Sequence, residues 1–271
     1  MIFPAEICPN VVQNMRNILN SPHPDQFKVM AIWGNLTGYQ SIYLGHLVAS
    51  RIGTKVFAGP FRGMEMIREI MDRIFLPSLL GTYEWELHEA IESAIKKEYT
   101  HVINIGCAYG YYSVGFARRL PNATIYARDI IEAERDLCRK MAEANGVADR
   151  IEIGGIFNGE DFTQFEDKHT LAFVDIEGGE IDLLDPEKYP ALKKIDMIVE
   201  LHDCIIPEAS SIIRQRFEKT HDIKIIPNGT FSFPLEKILG NDYRPDHFDN
   251  LIATWEGRGG VTPFGILTKK Q

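Results

Sequence analysis

The sequence predicts an α/β protein built on a mostly parallel sheet, and the prediction rests on alternation, on a glycine turn and on an acid. Strand and helix patterns alternate from about residue 98 to residue 227, as a parallel sheet with crossover helices requires. An apolar run, His101-Val102-Ile103-Asn104-Ile105, passes directly into Gly106-Cys107-Ala108-Tyr109-Gly110 and then into a helical pattern. The next strand pattern, Thr124 to Arg128, ends in Asp129. Glycines at a strand-to-helix turn let a ligand approach the backbone amides and the positive end of the helix. An acid about twenty residues later suits the two hydroxyls of a ribose. Together these features predict a nucleoside pocket.

The elements follow in order. Strands are expected at 101–105, 123–128, 151–154, 170–175, 195–201 and 222–226, with helices at 111–119, 132–145, 177–184 and 208–219 between them. Asn145-Gly146 ends the second helix through its tolerance of left-handed backbone. Pro263 to Thr268 supplies a last strand, antiparallel beside the sixth. Asn104, Asp129, Asp175 and His202 then share the carboxyl edge of the sheet, where ligands bind in such folds. Residues 1–95 read as a mostly helical extension that caps the pocket or forms a homodimer, and 96–271 as the ligand-binding domain. In the extension, Val11 to Leu19 and Tyr39 to Ala49 have helical spacing, and Lys55 to Ala58 reads as one short strand. Arg62, between two glycines, is a candidate anion grip.

The glycine spacing counts against two nucleotide classes. A dinucleotide site needs G-x-G-x-x-G, and here Ala108 occupies the middle position; no Gly-Lys-Ser/Thr follows, which counts against a P-loop as well. The pattern x-x-G-x-x-x-G with an acid ending the second strand resembles the class I S-adenosylmethionine (SAM)-dependent methyltransferases. Leu171 to Glu180 narrows the resemblance: Asp175, Glu177, Gly178 and Glu180 match the D-x-E-G-x-E pattern of FkbM-like methyltransferases, and the similarity spans about residues 80–205. It implies a Rossmann-like methyltransferase sheet, SAM as cofactor, and methyl transfer to a hydroxyl oxygen of a small metabolite such as a sugar or natural product. It further implies that the turn at Gly106, Ala108 and Gly110 carries the methionine part and that Asp129, with adjoining Ile130, holds the ribose. Ile156 and Phe157 face the adenine, and Asn104, Asp175 and Tyr83 complete the cofactor site. Asn104 stands where the family usually has an acid, and the segment after the third strand lacks the acid that meets the adenine amine; Glu160 or Asp161 is the expected substitute.

Methyl transfer asks for alignment, exclusion of water and removal of one proton. His202 is the candidate base, since histidine titrates near neutrality, and it stands in an ionisable cluster with Asp175 and Asp203. The same three residues are the candidate ligands of a magnesium ion, as in catechol-type O-methyltransferases. A nicotinamide-dependent oxidoreductase and a non-catalytic SAM-binding protein are the remaining alternatives. With 45% hydrophobic residues and a net charge of −9, a small-molecule partner is expected rather than nucleic acid or an anionic membrane. No apolar run reaches the ~18 residues of a membrane span. Four scattered cysteines, and residues 1–6 without a leader pattern, point to the cytoplasm. The Trp255 to Gly260 segment, preceded by His247-Phe248-Asp249, reads as a loop over the substrate.

Overall fold

Seven strands form one sheet in the computed structural model, which describes residues 8–71, 73, 75–229, 231–240 and 243–270; residues 1–6, read above for a leader, lie outside these. The strands are β1 (His101–Ile105), β2 (Thr124–Arg128), β3 (Ile151–Gly154), β4 (Thr170–Val174), β5 (Asp196–Glu200), β6 (His221–Ile226) and β7 (Phe264–Lys269). Their order is β3-β2-β1-β4-β5-β7-β6. Strands β1 to β5 run parallel, and β7 is antiparallel to both β5 and β6. The fold class is the Rossmann-like α/β sheet that the sequence predicts. β7 does lie beside the sixth strand, but it is also wedged between β5 and β6.

Strand composition explains the order. β4 is apolar after Thr170 and β5 is apolar between its terminal acids Asp196 and Glu200, and both are buried at every position, as strands covered on both faces must be. β6 alternates buried or half-buried residues with exposed Asp222 and Lys224 and closes the sheet as an edge.

The crossover helices are α5 (Tyr111–Arg119), α6 (Glu132–Ala144), α7 (Glu180–Leu183) and α8 (Ala209–Phe217). α7 starts three residues later than its apolar pattern suggests, because Glu177 and Gly178 take left-handed backbone with φ of 51° and 95°. Gly146, φ 64°, ends α6 as expected, and the Asn145 side chain binds both Glu65 N and Glu65 O, fixing that end to the extension.

The extension holds α1 (Cys8–Leu19), α2 (Asp25–Ile52), α3 (Phe75–Leu80) and α4 (His88–Lys96). α2 is far longer than the Tyr39–Ala49 pattern. The strand expected at 55–58 shrinks to one bridge between Lys55 and Glu65, since Val56 spends its backbone bonds on Met64 and Gly63 in a tight loop. One core runs from Leu44 and Val48 of α2 through Phe61 to Val102 and Phe173 of the sheet. Phe61 sits edge-on to Tyr111, Tyr112 and Phe116, and its burial contributes about 2–3 kcal/mol. After β6 come α9 (Glu236–Leu239) and α10 (His247–Ile252). They pack on α2, where Gln40 donates to Asp249 at 2.7 Å.

Candidate active site

The carboxyl edge of the sheet opens into two cavities that share Asp175 and Glu177. The first, about 520 Å³, lies over β1, β2 and β4 and is lined by Gly106, Asp129, Ile130, Ile156, Phe157 and Asp175 among others. Gly106 has φ 80°, and a Cβ there would stand 1.6 Å from the Asp175 carbonyl oxygen. Only glycine fits between the tips of β1 and β4. Beside it the turn is pinned to β2: Ala108 N donates to Asp129 Oδ2 at 2.9 Å, and Ile131 N donates to Asp129 Oδ1 at 2.8 Å. Gly110, φ 91°, lies against Cys138, whose Sγ a Cβ would meet at 2.7 Å. Ile130 and Ile156 are 74% and 69% exposed. Two bare aliphatic side chains at a cavity rim offer a planar apolar ligand its two faces.

The second cavity, about 500 Å³, is walled by Tyr83, Glu84, Glu200, His202, Glu256 and Arg258, with Asp175 and Glu177 where it meets the first. His202 is buried at its centre. Its Nδ1 lies 2.7 Å from Glu180 Oε1. A carboxylate oxygen only accepts, so Nδ1 carries the proton and donates, and Nε2 is left as the acceptor of the neutral ring. Glu180, fully buried, is itself held by the N–H groups of Ile176 and Gly178. Nε2 stands 3.4 Å from Glu177 Oε2 and 3.8 Å from both Asp175 Oδ1 and Glu200 Oε2. Burial opposes the charged imidazolium, but the hydrogen bond and charge of Glu180, with Glu200 and Glu177, outweigh it and raise the His202 pKa.

Too many carboxylates meet here for all to be ionised comfortably. Burial and the charges of Glu200 and Glu84 push Asp175 well above the usual carboxylate range. Burial and the charge of Glu200 push Glu84 to about 8, against the opposing pull of Arg258 and of Tyr112, whose hydroxyl donates to it. Arg258 is the compensating cation. It reaches Glu200 and Glu256 at 2.9 and 2.8 Å and approaches Glu84 and Glu86. It thereby joins the extension, the end of β5 and the segment before β7. Asp175, Glu200 and His202 each offer one atom such that the three lie within 4.8 Å of one another, and Asp175 Oδ1 is buried without a hydrogen-bond partner.

The sequence-predicted residues divide accordingly. Gly106, Asp129, Ile130, Ile156, Phe157 and Asp175 line the first cavity, and Ala108 and Gly110 shape its turn. Tyr83 falls in the second cavity rather than the first. Asn104 lines neither: it is buried beneath the turn, where its amide oxygen accepts from Ser113 Oγ at 2.7 Å. Asp203 turns away from His202 and caps α8, accepting from Ser210 N and Ser210 Oγ; Glu200 takes its expected place beside Asp175 and His202. Of the two acids proposed after β3, Glu160 lines the first cavity and Asp161 closes a capping box with Asn158. Arg62 is exposed at its turn and lines neither cavity. Glu256, Gly257, Arg258 and Gly259 do wall the second cavity, whereas Asp249 is occupied by Gln40. Sequence reading missed Glu200 and Arg258, and it missed that Glu180 orients His202.

No protein-family model matches the chain, and no curated protein matches it. Among solved structures, the chain is similar to the O-methyltransferase TomG from Streptomyces achromogenes, involved in tomaymycin synthesis and solved with SAM, at 16% identity and TM-score 0.41 over 65% of this chain and 77% of that one. It is similar to an O-methyltransferase from Bacillus cereus solved with SAH, at 12% identity and TM-score 0.43 over 85% and 90% of the two chains. A precorrin-6y C5,15-methyltransferase from Geobacter metallireducens gives 11% identity and TM-score 0.46 over 68% and 89%.

Proposed function

We propose that this chain is a SAM-dependent methyltransferase acting on a hydroxyl oxygen of a small molecule. The observation that carries the reading is the junction of the two cavities at Asp175 and Glu177, with the His202 Nε2 lone pair aimed at it. The first cavity fits the cofactor on three counts: a glycine cradle that a Cβ would fill, an acid at the β2 tip, and bare Ile130 and Ile156 at the rim. Bound SAM supplies a methyl group on a sulfonium leaving group. Asp129 takes the ribose hydroxyls, Ile130, Ile156 and Phe157 cover the adenine, and Gly106 lets the methionine part approach the backbone. The acceptor occupies the second cavity. His202 Nε2 takes its hydroxyl proton while Glu180 holds the ring in that tautomer.

Calorimetry tests the donor half. S-adenosylhomocysteine is expected to bind the wild type and to bind Asp129→Ala about 10- to 100-fold more weakly, since a hydrogen bond to a charged group contributes roughly 1.5–3 kcal/mol. Equal affinity in the two proteins sinks the ribose assignment.

A second reading has its own support. A hard divalent cation prefers oxygen donors with one imidazole tolerated, and Asp175, Glu200 and His202 would hold it. Their crowded negative charge and the unpartnered Asp175 Oδ1 fit such an ion, which when bound would lower the pKa of an acceptor hydroxyl. Titration with magnesium, manganese and zinc beside S-adenosylhomocysteine separates the readings: heat that Glu200→Gln abolishes supports the cation, and no heat with chelator-insensitive turnover leaves His202 as the base.

A further inference from the structure

We infer that the amino-terminal half of α2 is a homodimer interface, the occupant of its bare face being the same segment of a second copy. One stripe of α2 faces the core: Thr37, Gln40, Ser41, Leu44, Gly45 and Val48 are its buried residues, and none is buried before Thr37. The helical spacing carries the same stripe backward through Gly34, Trp33, Met30 and Phe27, where the chain covers it only in part: Trp33 meets Phe248 of α10 edge-on and Phe27 tilts against His23. There Phe27, Val29, Met30 and Trp33 are 51%, 67%, 67% and 60% exposed. A Cβ added at Gly34 or Gly38 would meet nothing within 4 Å, so the backbone is open to close approach by another helix.

Area and charge say what covers the face. With side chains of aromatic size burying roughly 150–250 Å² each, four at this exposure present on the order of 450 Å² of apolar surface. A standard interface covers about 800 Å² per partner, of which about 60% is apolar, so the patch is the size of one interface core. Residues 8–52 contain only Arg16, Asp25, Lys28 and Arg51 as formal charges, in a chain whose residues are 25% charged. Charge depletion is the mark of an interface core. A lipid surface would instead call for a helix rich in Lys and Arg on its polar face, which this acidic chain lacks. A two-fold axis across α2 sets each bare stripe against its copy, and with α1 it makes a four-helix bundle. The inference is independent of the catalytic reading.

Light scattering on the full chain between 1 and 100 µM tests it. The wild type is expected at twice the chain mass. Met30→Asp combined with Trp33→Asp is expected to run as a monomer with wild-type far-UV circular dichroism and a lower melting temperature that no longer depends on protein concentration. Gly34→Leu, which adds bulk only on the open side, is expected to weaken the dimer at least 10-fold and gives the reading if the double variant does not fold. A monomeric wild type at 100 µM, or a dimer that survives both changes, overturns the inference. Binding of a monomeric wild type to anionic vesicles, lost in Trp33→Asp, overturns it in favour of a membrane.

Discussion

Replacing His202 by alanine is expected to slow methyl transfer by about 10²- to 10⁴-fold, the usual worth of a positioned general base, while S-adenosylhomocysteine binds as before. Binding is spared because His202 walls the second cavity and not the first, where the cofactor is proposed to sit. Glu180→Gln separates positioning from proton transfer. The amide can offer its own N–H to Nδ1, which would turn the ring to the other tautomer and leave no lone pair on Nε2. The same change moves the pH profile. Glu180 helps raise the His202 pKa, and the base must be neutral to act, so the acid limb of the wild-type rate lies above the ordinary histidine value. Without the carboxylate it shifts to lower pH. A His202→Ala enzyme with wild-type turnover ends the base assignment, and an acid limb that Glu180→Gln leaves in place ends the positioning role.

Gly106→Ala is expected to cost about 2–4 kcal/mol of stability and about 100-fold or more in affinity for S-adenosylhomocysteine. Two penalties act together: an L residue is strained at φ 80°, and its Cβ would press on the Asp175 carbonyl at 1.6 Å. Backbone has no rotamer to yield, so β1 and β4 must separate at their tips, and the donor cavity lies between them. Gly155→Ala, in the same cavity but with nothing within 4 Å of its Cβ, is the control for stability and should leave it unchanged. Denaturant titration and calorimetry on both variants check this; an unaltered Gly106→Ala removes the glycine cradle from the account.

The sheet was legible in the sequence because its signals are local. Each strand from β1 to β6 is one short segment, apolar or alternating, that ends at a turn, and the glycine turn and Asp129 stand at fixed distances along the chain. The position of β7 was not fully legible: its pairing with β5 joins residues more than sixty apart, and no local pattern specifies which gap in a sheet a late strand enters. The second cavity hid for the same reason, since Glu84, Glu200 and Arg258 come from three distant segments. Glu200 had a usable signal. Strand parity places Ile198, Glu200 and His202 on one side and Leu201 and Asp203 on the other, which favours Glu200 over Asp203 as the neighbour of His202. Asn104 illustrates the opposite case: it was read as a cofactor residue at the end of the first strand, but Ser113 engages its side chain beneath the turn.

The placement of β7 also constrains the order of assembly during synthesis. Among the described strands β6 pairs with β7 alone, so a nascent chain that has emerged as far as residue 226 carries an edge strand with no edge to join. Until residues 264–269 follow, β5 shows open amides and carbonyls to any passing strand, and Arg258 has not arrived to balance Glu84 and Glu200. The first cavity, whose lining ends at Tyr189, can form early on the ribosome, but the second, which needs Arg258, closes last, in the same event that completes the sheet.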